Sequence, residues 1–199
     1  MNAVCAVAPL LALALASPAA ALDFAALAGT AEKLESLEPF LERYIGHCTD
    51  PYEKRTCEAN VAAARRAVAG KTFSVRVPDA APLVRPQLEG GRFLLLVTPF
   101  VDGRGLALTH GAPARQDAEG HPLVGLIPIR GTLPPGTLEL EFQGPFRTGA
   151  IELEIVFRPE RTWKLPRHGG GSYEGVAARF LAIRVVDART GSEIAAKVL

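Results

Sequence analysis

The sequence predicts an α+β protein, an N-terminal helical hairpin followed by an antiparallel β-sandwich or barrel of seven to nine strands. Three observations predict it. Over residues 22–70, apolar side chains recur at spacings of three and four, the period of one helix face. From Lys71 onward the apolar period changes to two, and twelve of the sixteen prolines lie there. Between these textures stands a short polar stretch bounded by two cysteines, Cys48 and Cys57. The expected organisation is a signal peptide over 1–21, the helical hairpin over 22–70 and the β domain over 71–199.

Residues 1–21 contain no acid and no base. A Leu/Ala run from Leu10 to Ala16 is followed by Ser17-Pro18 and then Ala19-Ala20-Ala21. An apolar run that gives way to small residues is the pattern of a secretory signal, with cleavage after Ala21. No Lys or Arg precedes the run, so the α-amino group alone supplies the positive end. The rival expectation is an uncleaved anchor, because residues 3–22 are nearly long enough to span a bilayer. Pro9 and Pro18 oppose a stable spanning helix. The mature chain keeps the whole formal charge of +1, which gives no strong steering toward nucleic acid or acidic lipid.

With Cys5 inside the signal, two cysteines remain. An even count in an exported chain reads first as a disulfide, Cys48 with Cys57. Two free thiols or half of a metal site are the alternatives, but His47 cannot complete four ligands. In the chain-entropy picture, a bond closing a loop of this length contributes about 2.5–3 kcal/mol.

The helical stripe runs through Phe24, Leu27, Ala31, Leu34, Leu37, Leu41, Tyr44 or Ile45, and Cys48. Pro39 interrupts it, so a kink or a second start near Ser36 or Glu38 is expected. Asp50, Pro51 and Glu53 carry the signature of a second helix start, with Asp50 as cap and Glu53 closing a capping box. That helix ends at Gly70 and turns Cys57, Val61, Ala64 and Val68 inward. Strands are expected at Phe73–Val77, Phe93–Val97, Leu106–Thr109, Leu123–Arg130, Leu138–Phe142, Ile151–Arg158, Arg161–Leu165 and Val176–Val186. A turn at 187–191 leads to a last strand ending near Val198.

Four constellations could carry chemistry. The loop from His110 to His121 also holds Asp117 and Glu119, and two His with a carboxylate can hold a transition metal with an open position. A polar hairpin loop that happens to end in histidines is the plainer reading. His168-Gly169-Gly170-Gly171 resembles an oxyanion-hole motif of lipases and esterases, but no Gly-x-Ser-x-Gly elbow accompanies it. Glu139, Glu141, Glu152 and Glu154 alternate with apolar residues and read as the solvated face of a hairpin. Trp163, Tyr173 and Phe146 are binding candidates, since aromatics at strand ends can anchor a ligand or partner.

Cys48 to Cys57, followed by Gly120-His121-Pro122-Leu123-Val124-Gly125-Leu126-Ile127-Pro128, resembles exported bacterial proteins of an uncharacterised family. The resemblance implies a periplasmic or secreted protein and carries over no functional residue. The expectation is therefore a non-enzymatic exported module, without cofactor, that binds a partner protein or an envelope component. A small apolar-ligand carrier with a barrel cavity comes second. A metal-dependent hydrolase at His110 and His121 comes third. No nucleic-acid partner and no stable membrane span after signal cleavage are expected.

Overall fold

The computed structural model describes residues 23–77, 84–86, 92–97, 100–101, 106–111, 115–116, 122–123, 138–143, 151–166 and 172–199. Residues 1–21, the expected signal, lie outside them. The chain is a mixed α+β protein, with three helices and twelve strands among the described residues.

The expected continuous stripe is broken. Helix α1 (Phe24–Thr30) is short and is capped by Asp23, whose carboxylate accepts the Ala26 N–H at 2.7 Å. Strand β1 (Glu32–Leu34) follows, with the Glu32 N–H donating to the Thr72 carbonyl at 2.9 Å. Helix α2 (Leu37–Ile45) starts after Ser36, with Pro39 inside its first turn, where a missing N–H costs nothing. Periodicity could not see the break, because Ala31 and Leu34 fit the helical spacing. A parallel partner strand from a distant part of the chain won the backbone of 32–34.

Helix α3 (Lys54–Val68) begins later than its start signal suggested. Asp50 accepts the Tyr52 N–H at 2.8 Å, an Asx turn, and residues 51–53 form a turn before the helix. Glu53 sits at the N-cap and makes no side-chain capping bond, so the expected capping box is not formed. The inward face is as expected: Cys57, Val61, Ala64 and Val68 are half-buried.

Twelve strands replace the seven to nine expected, in sheets of seven, three and two. The large sheet takes β1, β2 (Phe73–Val77), β5 (Phe100–Val101), β6 (Leu106–His110), β10 (Ile151–Pro166), β11 (Ser172–Asp187) and β12 (Glu193–Val198). Its order is β1-β2-β10-β11-β6-β5, with β12 also paired to β11, and five strands curl into a half-barrel. The sheet is not purely antiparallel, because β1 pairs with β2 and β6 with β11 in parallel. In both cases the chain between the paired strands makes a crossover, which local alternation does not reveal. The three-stranded sheet is β3 (Val84–Pro86), β4 (Arg92–Val97) and β9 (Leu138–Gln143). Strands β7 (Arg115–Gln116) and β8 (Pro122–Leu123) pair with each other.

The ribbon β10–β11 is the spine. Two expected strands, 151–158 and 161–165, are one strand of 16 residues, opposite another of 16. Pro159 cannot donate to the ladder, and the register shifts between Pro159 and Arg161. A second shift pairs Val156 with Ala182 and Phe157 with Phe180, leaving Leu181 as the extra residue. It lets Phe157, Phe180 and Ile183 reach the main core while Val156 and Ala182 turn to the other face, beneath Phe24 of α1. Leu41, Tyr44 and Ile45 of α2, and Leu95, Leu140 and Phe142 of the small sheet, share that main core.

Candidate functional site

The elbow between α2 and α3 is held by three kinds of bond. The first is the disulfide, Cys48 to Cys57, with the two Cα atoms 5.6 Å apart. The second is Arg65, which donates from Nε to the Tyr44 carbonyl at 2.7 Å and from Nη2 to the Ile45 carbonyl at 2.9 Å. Those carbonyls are orphans at the end of α2, so a cation from α3 caps its neighbour. The third is contact. Gly46 ends α2 at φ +70°, and a Cβ there would run into Val61 of α3. From the elbow, His47 reaches Glu174 of β11 at 3.8 Å. The hydrogen bond from Lys164, first, and then that from Ser172 hold the Glu174 carboxyl below its ordinary value.

A cavity of about 300 Å³ opens where α2, α3 and β1 meet β2. Its floor is apolar: Phe40, Tyr44 and Phe73, with Leu34 and Val68 at the sides. Phe40 centres an aromatic group, its ring 5.8 Å from Tyr44, 5.2 Å from Phe73 and 5.6 Å from Phe157. Burial pushes the Tyr44 phenol up, against the lowering pull of Arg65, so it is a neutral O–H near neutral pH. Lys33, Glu35 and Arg43 stand at the polar margin beside Glu32, whose carboxylate is held by Lys71 at 3.4 Å. In the core of the large sheet Phe73, Phe157 and Phe180 are fully buried side chains.

The residues singled out from the sequence fall elsewhere. Trp163 lies on the sheet face away from the main core, across Gly175, its register partner; a Cβ at Gly175 would collide with the indole and with the Ala107 carbonyl. The Trp163 Nε1–H donates to Thr109 Oγ1 at 3.0 Å, and that hydroxyl donates to the Gly111 carbonyl at 2.6 Å. The ring therefore covers a glycine and its polar atom is satisfied inside the protein. Tyr173 lies opposite Leu165 in the same ribbon, and Phe146 lies outside the described residues.

His110 ends β6, where its Nδ1 accepts the Phe180 N–H at 3.2 Å and its ring centre lies 5.3 Å from Phe180. Burial lowers its pKa, keeping the imidazole neutral. His121, Asp117 and Glu119, like His168 and its glycines, lie outside the described residues. Among the described residues no group of three or more His, Cys, Asp or Glu is placed to hold a metal ion.

The acidic row is divided. Glu139 and Glu141 belong to β9, which pairs with β4, whereas Glu152 and Glu154 belong to β10, which pairs with β2 and β11. Arg76 meets Glu152 at 3.1 Å and Glu154 at 3.0 Å, and Arg184 also binds Glu154. Glu154, bound by two arginines, and Glu152, bound by one, form structural charge pairs.

The protein matches one known grouping. A family described as "Family of unknown function (DUF6066)" matches residues 1–198. The chain belongs to this family. Neither a curated protein nor a solved structure matches it. The cavity thus comes from the geometry alone, and the sequence reading passed over it. The stripe counted Leu37, Leu41, Tyr44 and Ile45 but left out Phe40, one helical turn before Tyr44, which was the available signal.

Proposed function

We propose that this chain is an exported, non-enzymatic binding module, and that its binding site is the cavity between α2, α3 and β1. The single observation that carries this reading is the apolar floor of Phe40, Tyr44 and Phe73 left open beneath a polar margin. Ligand sites are concave, largely apolar and bordered by a few polar groups. The disulfide fits an oxidising compartment such as the periplasm or the extracellular medium. No helix among the described residues is long and apolar enough to cross a membrane.

The cavity volume favours a small ligand over a partner protein or a large envelope component, which reverses the order read from sequence. For a carrier of a small apolar ligand, the room that supports the reading is the cavity at the helix–sheet corner.

A neutral apolar fluorophore, N-phenyl-1-naphthylamine, tests the site. Its emission should rise on addition of the oxidised protein. Two changes should each abolish the rise while leaving thermal unfolding cooperative. Ala64→Phe fills the cavity from α3. Ser36→Trp fills it from an exposed position whose side chain makes no capping bond. A rise that survives both variants, or no rise with the unaltered protein, sinks the reading.

A further inference from the structure

We propose that the cavity between α2, α3 and β1 takes a small amphipathic carboxylate, its apolar body on Phe40 and its carboxylate between Arg43 and Lys33. The proposal rests on the binding reading above and adds the chemistry of the ligand.

The volume comes first. About 300 Å³ is the low end of the range for ligand pockets, so the cavity holds one short chain or one ring rather than a two-chain lipid. The floor comes second. Phe40 is half-buried, and its packing on Tyr44, Phe73 and Phe157 fixes it as a rigid platform. An apolar body laid there gains contact area without ordering a mobile side chain.

The charges decide the head group. Two cations and two acids border the cavity. Glu32 is occupied by Lys71 at 3.4 Å. Neither Lys33 nor Arg43 makes an ion pair or a side-chain hydrogen bond among the described residues, and the same is true of Glu35. Two free cations against one free acid leave an excess of one positive charge beside the apolar floor. Arg43 brings the planar fork that matches a carboxylate, and Lys33 adds a point charge. The nearby Tyr44 phenol is neutral and does not repel an anion. A cationic amphiphile has only Glu35 to meet, and a neutral one leaves both cations without a partner.

Calorimetric titration of the oxidised protein with octanoate, octanol and octylamine separates the possibilities. Octanoate should bind about tenfold more tightly than octanol, the scale of one charge-assisted contact at a partly exposed site. Octylamine should bind more weakly than either. In the double variant Lys33→Glu with Arg43→Glu, both at exposed positions, octanoate should lose about tenfold and octylamine should become the tightest of the three. Equal binding of the three compounds overturns the assignment, as does a preference for octanoate that survives charge reversal. If N-phenyl-1-naphthylamine binds and octanoate neither binds nor displaces it, the ligand class is wrong and the cavity remains a site. If the fluorophore does not bind either, the binding reading itself fails.

Discussion

The ribbon β10–β11 and the helix α3 are nearly equal in length, 16 residues per strand against 15, and are held by opposite means. In the ribbon, Val156, Phe157, Val176, Ala177, Ala178, Ala182 and Ile183 are all fully buried, so both faces are covered. In α3 no residue is buried. Its attachment is one disulfide, one arginine on two carbonyls, and a half-buried row from Cys57 to Val68. Burial of large apolar surface fixes the first, and a few directed bonds fix the second. The cavity lies on the boundary, with its floor on the rigid core and one wall on the lightly held helix. A binding site gains from this division, because the floor stays shaped while the wall can adjust.

The largest way to break the contrast is to damage the ribbon. Phe157→Ala removes a fully buried ring that touches Phe40 and Phe73, and should cost about 3–5 kcal/mol in urea unfolding. A loss below about 1 kcal/mol, the mean for any substitution, would mean the ribbon is not the spine.

The disulfide probes the other side. Cys48→Ser with Cys57→Ser should cost about 2.5–3 kcal/mol if α3 unfolds together with the sheet. The comparison predicts something finer, that amide exchange across 54–68 accelerates while that of 151–166 and 172–187 does not. Fluorophore binding should weaken in the same variant, because Ala64 and Val68 form a wall of the cavity. Uniform acceleration in both regions would show one cooperative unit and erase the distinction.

The smallest effect is pH dependence at the ribbon's edge. Burial lowers the His110 pKa, so the folded protein resists a proton that the unfolded chain accepts. Stability should be intact above the ordinary value near 6.5 and fall as the pH drops below it toward the folded value. His110→Asn should flatten the melting temperature between about pH 7.5 and 5, a window that spans the ordinary His value. An unchanged slope in the variant would place the pH dependence elsewhere.

Much of the local build was legible. Alternation located β2, β9 and the first half of β10, because a half-buried strand must turn every second residue to the core, and a continuous apolar run located β4. The half-buried face of α3, from Cys57 through Val61 and Ala64 to Val68, followed from helical spacing. Pairing was not legible. Glu32–Leu34 looked helical because its spacing was, and the distant Phe73–Val75 decided otherwise. Glu139 and Glu152 looked like neighbours across a hairpin, yet their strands pair in different sheets. Of the candidate site, only Leu34, Tyr44, Ala64, Val68 and Phe73 were marked as inward residues, and nothing local showed that they border one cavity.

The sequence by itself determined the membership of residues 1–198 in their family, the α+β texture and the pairing of Cys48 with Cys57, since these depend on composition and short-range spacing. Tertiary structure alone decided the parallel crossovers, the use of Trp163 as a cover for Gly175, and the cavity at Phe40. Each of these depends on which distant segments compete for the same backbone bonds and the same buried volume, and that competition is settled only when the whole chain packs.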